Sequence, residues 1–207
     1  MATKTKKSEK IIKSPLCRIS YPNVFKPQTF DDGKTQYNLV MLIPKTEGVK
    51  KWKHDPKLKP IIKALRAAAK EKFGDPIPKK LKLPIKDGDK SVGVDGEGPD
   101  DAYKGMWAIA CSSEHQPGIV AANAQYYLTS EKDFYAGCWA YVSINSFAWT
   151  NQYKKSGCSL GLRNIQKVKD DKRLGGIVSA HEDFDPLEDV DDDDFEDDID
   201  DEDDDDL

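Results

Sequence analysis

The stretch CWAYVSINSFAWT, residues 138–150, is the one whose reading decides the fold. Small and aliphatic residues alternate in it with aromatic and polar ones, the period of a β-strand. One face then carries Cys138, Ala140, Val142 and Ile144, suited to the interior of a tightly curved barrel. The other carries Trp139, Tyr141, Ser143, Asn145, Phe147 and Trp149.

Working outward, more strand-like stretches surround it. SPLCRISYPNVF forms a first strand closed by Pro22 and Pro27, and TQYNLVMLIPK a second with Tyr37, Leu39, Met41 and Ile43 on one face. GMWAIACSS and GIVAANAQYYL follow across a Pro117–Gly118 turn, and GCSLGLRNIQKVKD comes after the polar TNQYKKS. Trp107 lies in line with Ile109 and Cys111 and is assigned to the core, whereas the adjacent Tyr126 and Tyr127 must point opposite ways in a strand. DPKLKPIIKALRAAAKEKFG reads as the one helix, capped at Asp55 or starting a turn later at Pro60, and stopped at Gly74. Its apolar stripe is Ile61, Ile62, Leu65, Ala69 and Phe73; Lys59, Lys63, Arg66 and Lys70 form a basic stripe. Residues 74–104 are loop-rich, and a loop of that length is expected to hold a short strand or a functional loop. Short strands with a single helix predict a mainly β fold, a five-stranded OB-fold-like barrel with long loops.

Charge divides the chain. The net charge is -5, yet 19 of the 26 residues from Glu182 to Leu207 are acidic. All 32 basic residues and the other 18 acids precede them, so residues 1–181 carry a formal +14. The expected organisation is a flexible basic arm over 1–13, a basic barrel domain suited to a polyanion over 14–173, and a linker with a disordered acidic tail over 174–207. The basic start has no apolar run of signal-peptide or membrane-span length, which predicts a cytoplasmic protein.

Single strands of nucleic acid expose base faces that stack on aromatic rings, and their phosphates need nearby cations. The row Trp139, Tyr141, Asn145, Phe147 and Trp149 supplies the first requirement. Tyr153, Lys154 and Lys155 flank it in the following loop, and Arg163 points outward if Cys158, Leu160 and Leu162 point in. Trp52 between Lys51 and Lys53 is a second candidate, and the loop KKLKLPIK and the helix stripe are further phosphate tracks. The competing reading buries the aromatic row under the helix, but Ser143 and Asn145 would then need buried partners.

No phosphate-binding loop, zinc-protease or serine-hydrolase signature occurs, and the four cysteines are too scattered for a zinc knuckle. They are read as reduced, buried thiols; neither enzyme activity, cofactor nor metal is expected. Tail aspartates Asp203, Asp204, Asp205 and Asp206 with Leu207 and Phe195 are candidates for competing with DNA and for contacting partner proteins. As a coil, the tail has a root-mean-square reach of about 35 Å, and tethering holds it at roughly millimolar effective concentration.

CWAYVSINSFAW, the later KKSGCSLGLRNIQKVKDDKRLGG, PGIVAAN, the opening SPLCRISYPNVF with FDDGKTQYNLVMLIPK, and the aspartate tail together resemble a family of single-stranded DNA-binding proteins of enterobacterial phages. The likeness covers most of residues 14–175. It implies an OB-fold, no catalysis, and a role in phage DNA replication, recombination or repair, with replication or recombination proteins of phage or host as partners. Duplex DNA is an expected ligand when the tail is removed. Acidic tails in this wider class often finish on phenylalanine, whereas this one finishes on Leu207. The alternatives are an acidic-tailed chaperone or DNA mimic, and an RNA-binding module of OB type.

Overall fold

The computed structural model describes residues 10–30, 33–91 and 101–175. Their strands are β1 (Ile12–Lys13), β2 (Cys17–Thr29), β3 (Thr35–Pro44), β4 (Ile85–Asp87), β5 (Met106–Ser113), β6 (Gly118–Val120), β7 (Trp139–Thr150) and β8 (Ser156–Lys169). One α-helix, α1 (Lys59–Phe73), lies between β3 and β4. Five strands close on themselves. β7 pairs β2, β2 pairs β3 and β3 pairs β5, all antiparallel; β5 then pairs β8 in parallel, and β8 returns to β7 antiparallel. Closure removes the unpaired edges that an open sheet would leave, and a five-stranded closed barrel is the OB architecture expected from the sequence. Three short strands beyond the expected five extend it: β1 on β7, β4 on β5 and β6 on β8.

Alternation sorts the side chains as the sequence implies. Cys138, Ala140, Val142 and Ile144 of β7 are buried, facing Cys17 and Ile19 of β2, Leu39, Met41 and Ile43 of β3, and Trp107, Ile109 and Cys111 of β5. In β8 the inward set is Cys158, Leu160 and Leu162, then Ile165. Parity changes there because Ser143 pairs with Asn164 while Ile144 pairs with Leu162, leaving Arg163 as an extra bulge residue. All four cysteines are free and buried, and burial pushes the Cys17 thiol up to about 12.

Helix α1 covers the barrel beside β7 and β8. Ile61, Ile62, Ala64, Leu65 and Ala69 are its buried side, and Ser146 Oγ of β7 donates to the Ala64 carbonyl at 3.0 Å. Pro56–Leu58 form a 3-10 turn ahead of the helix, and Asp55 accepts from Lys57 N within that turn. The helix ends at Gly74, whose φ of 81° suits a residue without a Cβ. Fully buried Asp55 also accepts from Thr46 N and Oγ1 and from Trp107 Nε1 at 2.8 Å. Burial alone would raise its pKa; these hydrogen bonds hold it below the usual aspartate value.

Several expectations change. The basic arm does not run to residue 13, because Ile12 is buried and pairs with Ile144. The first strand does not stop at Pro22 or Pro27; it passes both, its register slipping between Ser20 and Asn23 and again before Gln28. Proline lacks the ladder donor, and irregular pairing tolerates it. GIVAANAQYYL is strand only at Gly118–Val120 and then turns, so Tyr126 and Tyr127 are both exposed, at 65% and 76%. Among the described residues no helix is long and apolar enough to cross a membrane.

Candidate nucleic-acid interface

On the outside of the barrel the wall formed by β3, β5 and β8 is built from short or polar residues. Gln36, Asn38 and Val40 of β3, Ala108, Ala110 and Ser112 of β5 and Ser159 of β8 line a groove of about 580 Å³. Residues this small leave space between flanking walls made by Tyr21 and Phe30 on one side and by Lys82, Lys86 and Trp149 on the other. Tyr21 is 53% exposed and holds φ 46°, a left-handed backbone that costs a residue with a Cβ on the order of 1 kcal/mol.

A second recess, about 670 Å³, adjoins at the β7–β8 turn and shares Trp149 and Lys82 with the groove. Lys80, Tyr153, Lys154 and Lys155 line it. Asn151 Oδ1 accepts from Tyr153 N at 3.1 Å and Lys155 N at 2.9 Å, which fixes the turn and leaves Tyr153 73% exposed. Trp149 Nε1 donates to Ser159 Oγ at 2.9 Å, anchoring the indole by its edge. Its ring also lies against Gly157, where an added Cβ would be 2.7 Å from Trp149 Cζ2 and 2.6 Å from the Lys82 carbonyl. Gly157 therefore lets the tryptophan and the lysine-bearing segment close together on β8. That segment is bonded there: Lys82 N donates to Ser156 O, and Cys158 N to Lys82 O at 2.9 Å.

Among the described residues no carboxylate lines either recess, and Lys80, Lys82, Lys86, Lys154 and Lys155 form no ion pair with another described residue. Aromatic faces, amides and ammonium groups, with no competing acid among the described residues, suit a flexible polyanion carrying π-faces. The wall formed by the second and third barrel strands, with the loops at its ends, is also where OB-folds take oligonucleotides.

Residues 9–196 match the family described as the ssDNA-binding protein of Enterobacter phage Enc34. The chain belongs to this family. The Enc34 family is one of binding proteins rather than enzymes. The protein p50 of Acyrthosiphon pisum secondary endosymbiont phage 1 is 26% identical over 178 residues, covering 82% of this chain and 90% of its own. The Enc34 single-stranded DNA-binding protein solved in complex with ssDNA aligns with a TM-score of 0.64 at 26% identity, over 80% of this chain and 89% of that one. Bacteriophage T7 gp2.5, a single-stranded DNA-binding protein, shares the fold: TM-score 0.50 at 16% identity, over 82% and 91% of the two chains.

In this Enc34-family chain the sequence candidates fall into separate places. Trp149, Tyr153, Lys154 and Lys155 come together at the recess. Phe147 is 44% exposed two residues before Trp149 on the same outward side. Asn145 lies over Gly161, where a Cβ would approach its Oδ1 to 2.1 Å, and Arg163 sits exposed at the β8 bulge. Tyr141 lies beneath Lys13 Nζ, 3.8 Å from the ring centre. Trp139 Nε1 donates to Asp171 at 2.7 Å. Trp52 is half-buried against the core with Lys53 over its ring; neither it, Lys51 nor Lys53 lines the groove. Phe195, Asp203, Asp204, Asp205, Asp206 and Leu207 lie outside the described residues.

The sequence reading misses Tyr21, Phe30, Gln36 and Asn38 as groove residues. The signal available for Lys80, Lys82 and Lys86 is the basic loop KKLKLPIK; for Tyr21 and Phe30, aromatics flanking a proline-interrupted strand, it is weak.

Proposed function

We propose that the protein binds single-stranded DNA along the β3–β5–β8 groove, independently of sequence, in phage DNA replication, recombination or repair. The observation that carries this reading is the recess in which Trp149 stands among Lys80, Lys82, Lys154 and Lys155, with no carboxylate among the described residues that line it. A base stacks on the open face of Trp149, with Tyr153, Phe30 and Tyr21 as further platforms. The lysines take the phosphates on either side. Stacking accepts any base, which supports binding independent of sequence. The relative solved with ssDNA supports the choice of ligand.

The acidic tail, with 19 acids in its last 26 residues, is the internal competitor of a +14 body. It lowers affinity for short or duplex ligands, yields to a long strand, and once released serves replication or recombination partners through Asp203–Asp206, Leu207 and Phe195. The test is a salt titration of poly-dT and duplex binding by the full chain and by a chain ending at residue 181. Truncation should tighten both, duplex binding more. Equal affinities would remove the tail from the mechanism, and a shortened chain that binds no DNA would refute the groove reading in favour of a DNA-mimic tail.

A further inference from the structure

The outward side of the β7–β8 ladder has an aromatic cluster at each end, and they differ in what supplies the anions. At the Trp149 end no described acid lies beside the lysines. At the opposite end Trp139 is joined by Tyr135, and cations surround both rings: Arg173 is 3.9 Å from the Tyr135 ring centre, Lys167 5.4 Å from it, and Lys169 5.6 Å from that of Trp139. Here the chain's own carboxylates occupy the donors. Asp170 accepts from Tyr135 Oη at 2.6 Å and lies 2.7 Å from Lys167 Nζ. Asp171 accepts from Trp139 Nε1 at 2.7 Å and lies 3.8 Å from Arg18 Nη2.

These two aspartates follow directly on the last residue of β8, in a segment without regular structure. Leu174 N to the Ala136 carbonyl is its backbone tie to the barrel, and Arg18 Nη2 holds the Lys172 carbonyl at 2.7 Å. The carboxylates are the exposed partners, Asp170 at 65% and Asp171 at 41%, while Lys167 and Arg18 are largely covered, so a strand's phosphates can replace two carboxylates without moving the cations or breaking a sheet ladder.

We propose that the Tyr135–Trp139 cluster is a second single-strand subsite, closed by Asp170 and Asp171 and opened when a strand too long for the groove exchanges its phosphates for those carboxylates. This rests on the groove being the primary site. The protein then has two binding modes, a short one at Trp149 and a longer one running along β7.

The experiment compares Asp170→Asn/Asp171→Asn with wild type in the full chain, using oligothymidylates of about 6 and about 20 nucleotides, one near the short end of the usual OB-fold site sizes and one beyond their long end. A Glu47→Gln/Glu131→Gln variant, two exposed acids outside the Asp170–Asp171 segment, controls for the change in net charge. The expected result is at least about fivefold tighter binding of the long strand, with the short strand matching the control variant. Trp139→Ala should erase that gain in the Asn/Asn background. Should the double variant fail to fold, Tyr135→Phe removes only the donor to Asp170 and should shift long-strand affinity in the same direction. Equal gains at both lengths, or none at either in a folded variant, overturn the proposal. Failure of the groove reading is distinguishable: Trp149→Ala would then leave the short strand unaffected.

Discussion

Replacing Trp149 with alanine tests the groove where its chemistry is most concentrated. The indole stands at the junction of the two recesses, held by Ser159 on its edge and by Gly157 beneath one face. A base stacked on the remaining face contributes about 1–3 kcal/mol. At 1.4 kcal/mol per factor of ten, losing it weakens binding roughly 5- to 150-fold. The fold should survive, since Trp149 is half-buried and outside the core cluster. A loss of about 1–2 kcal/mol in stability, from partial apolar burial and one hydrogen bond, lowers Tm by about 2–4 °C per kcal/mol. Trp149→Phe keeps a π-face and loses only the donor to Ser159, so its penalty should not exceed about 1 kcal/mol. Fluorescence anisotropy with a short oligothymidylate at fixed salt gives the affinities, and a thermal melt establishes folding. The salt dependence provides an internal check: a stacking loss shifts the line of log K against log salt without altering its slope. A folded Trp149→Ala that binds like wild type refutes the reasoning, and so does one whose slope flattens.

Lys82→Ala/Lys154→Ala should do the opposite, flattening that slope by about 0.7 for each phosphate contact removed. Gly157→Ala puts a Cβ where Trp149 Cζ2 and the Lys82 carbonyl already lie, so both must move; affinity should fall together with a change in Trp149 emission. Asp55→Asn turns an amide N–H₂ towards donors whichever way it is flipped, and should destabilise the fold by about 2–4 kcal/mol while the folded fraction keeps its affinity. Because the folded pKa values of Asp55, Asp170 and Asp171 are all lowered, their stabilisation is complete above the unfolded value of 3.8 and is lost as pH falls through the folded ones. Tm should therefore stay level from neutrality down to about pH 5 and drop below about pH 4; a decline that begins near pH 6 would contradict this.

Much of the barrel is legible because its strands keep period two wherever one side is buried. The inward quartet Cys138, Ala140, Val142 and Ile144 follows from that rule alone. So do the core position of Trp107 and the helix stripe. The rule fails at Arg163, where one inserted residue reverses the side chains that follow, so that Asn164 faces out and Ile165 in, until a second slip between Lys167 and Lys169 restores the parity. A bulge leaves no mark in a pattern read one strand at a time. It fails again at Pro22 and Pro27, where proline marks a distorted strand rather than its end. Loop chemistry is the least legible part. That Lys82 would bridge to Gly157, or that Arg18 would hold the carbonyl of Lys172, depends on tertiary approach across 75 and 154 residues of chain.

The candidate site shows the same division of information. Alternation correctly puts Trp139, Tyr141, Phe147 and Trp149 on one side of a strand, yet their surroundings are set by what the closed barrel brings beside them. Strand β7 is 12 residues long and β8 is 14, so at about 3.3 Å per residue the ladder between Trp139 and Trp149 spans roughly 33 Å. Its two ends therefore meet different neighbours. Trp149 meets a lysine-rich loop docked through a glycine, and Trp139 meets the two aspartates that end the barrel. A uniform row of stacking residues would bind a strand in proportion to its length. A row open at one end and closed by carboxylates at the other should instead bind short strands at one affinity and respond to length only beyond a threshold. Such a step in affinity with strand length is the behaviour that this arrangement of charges requires.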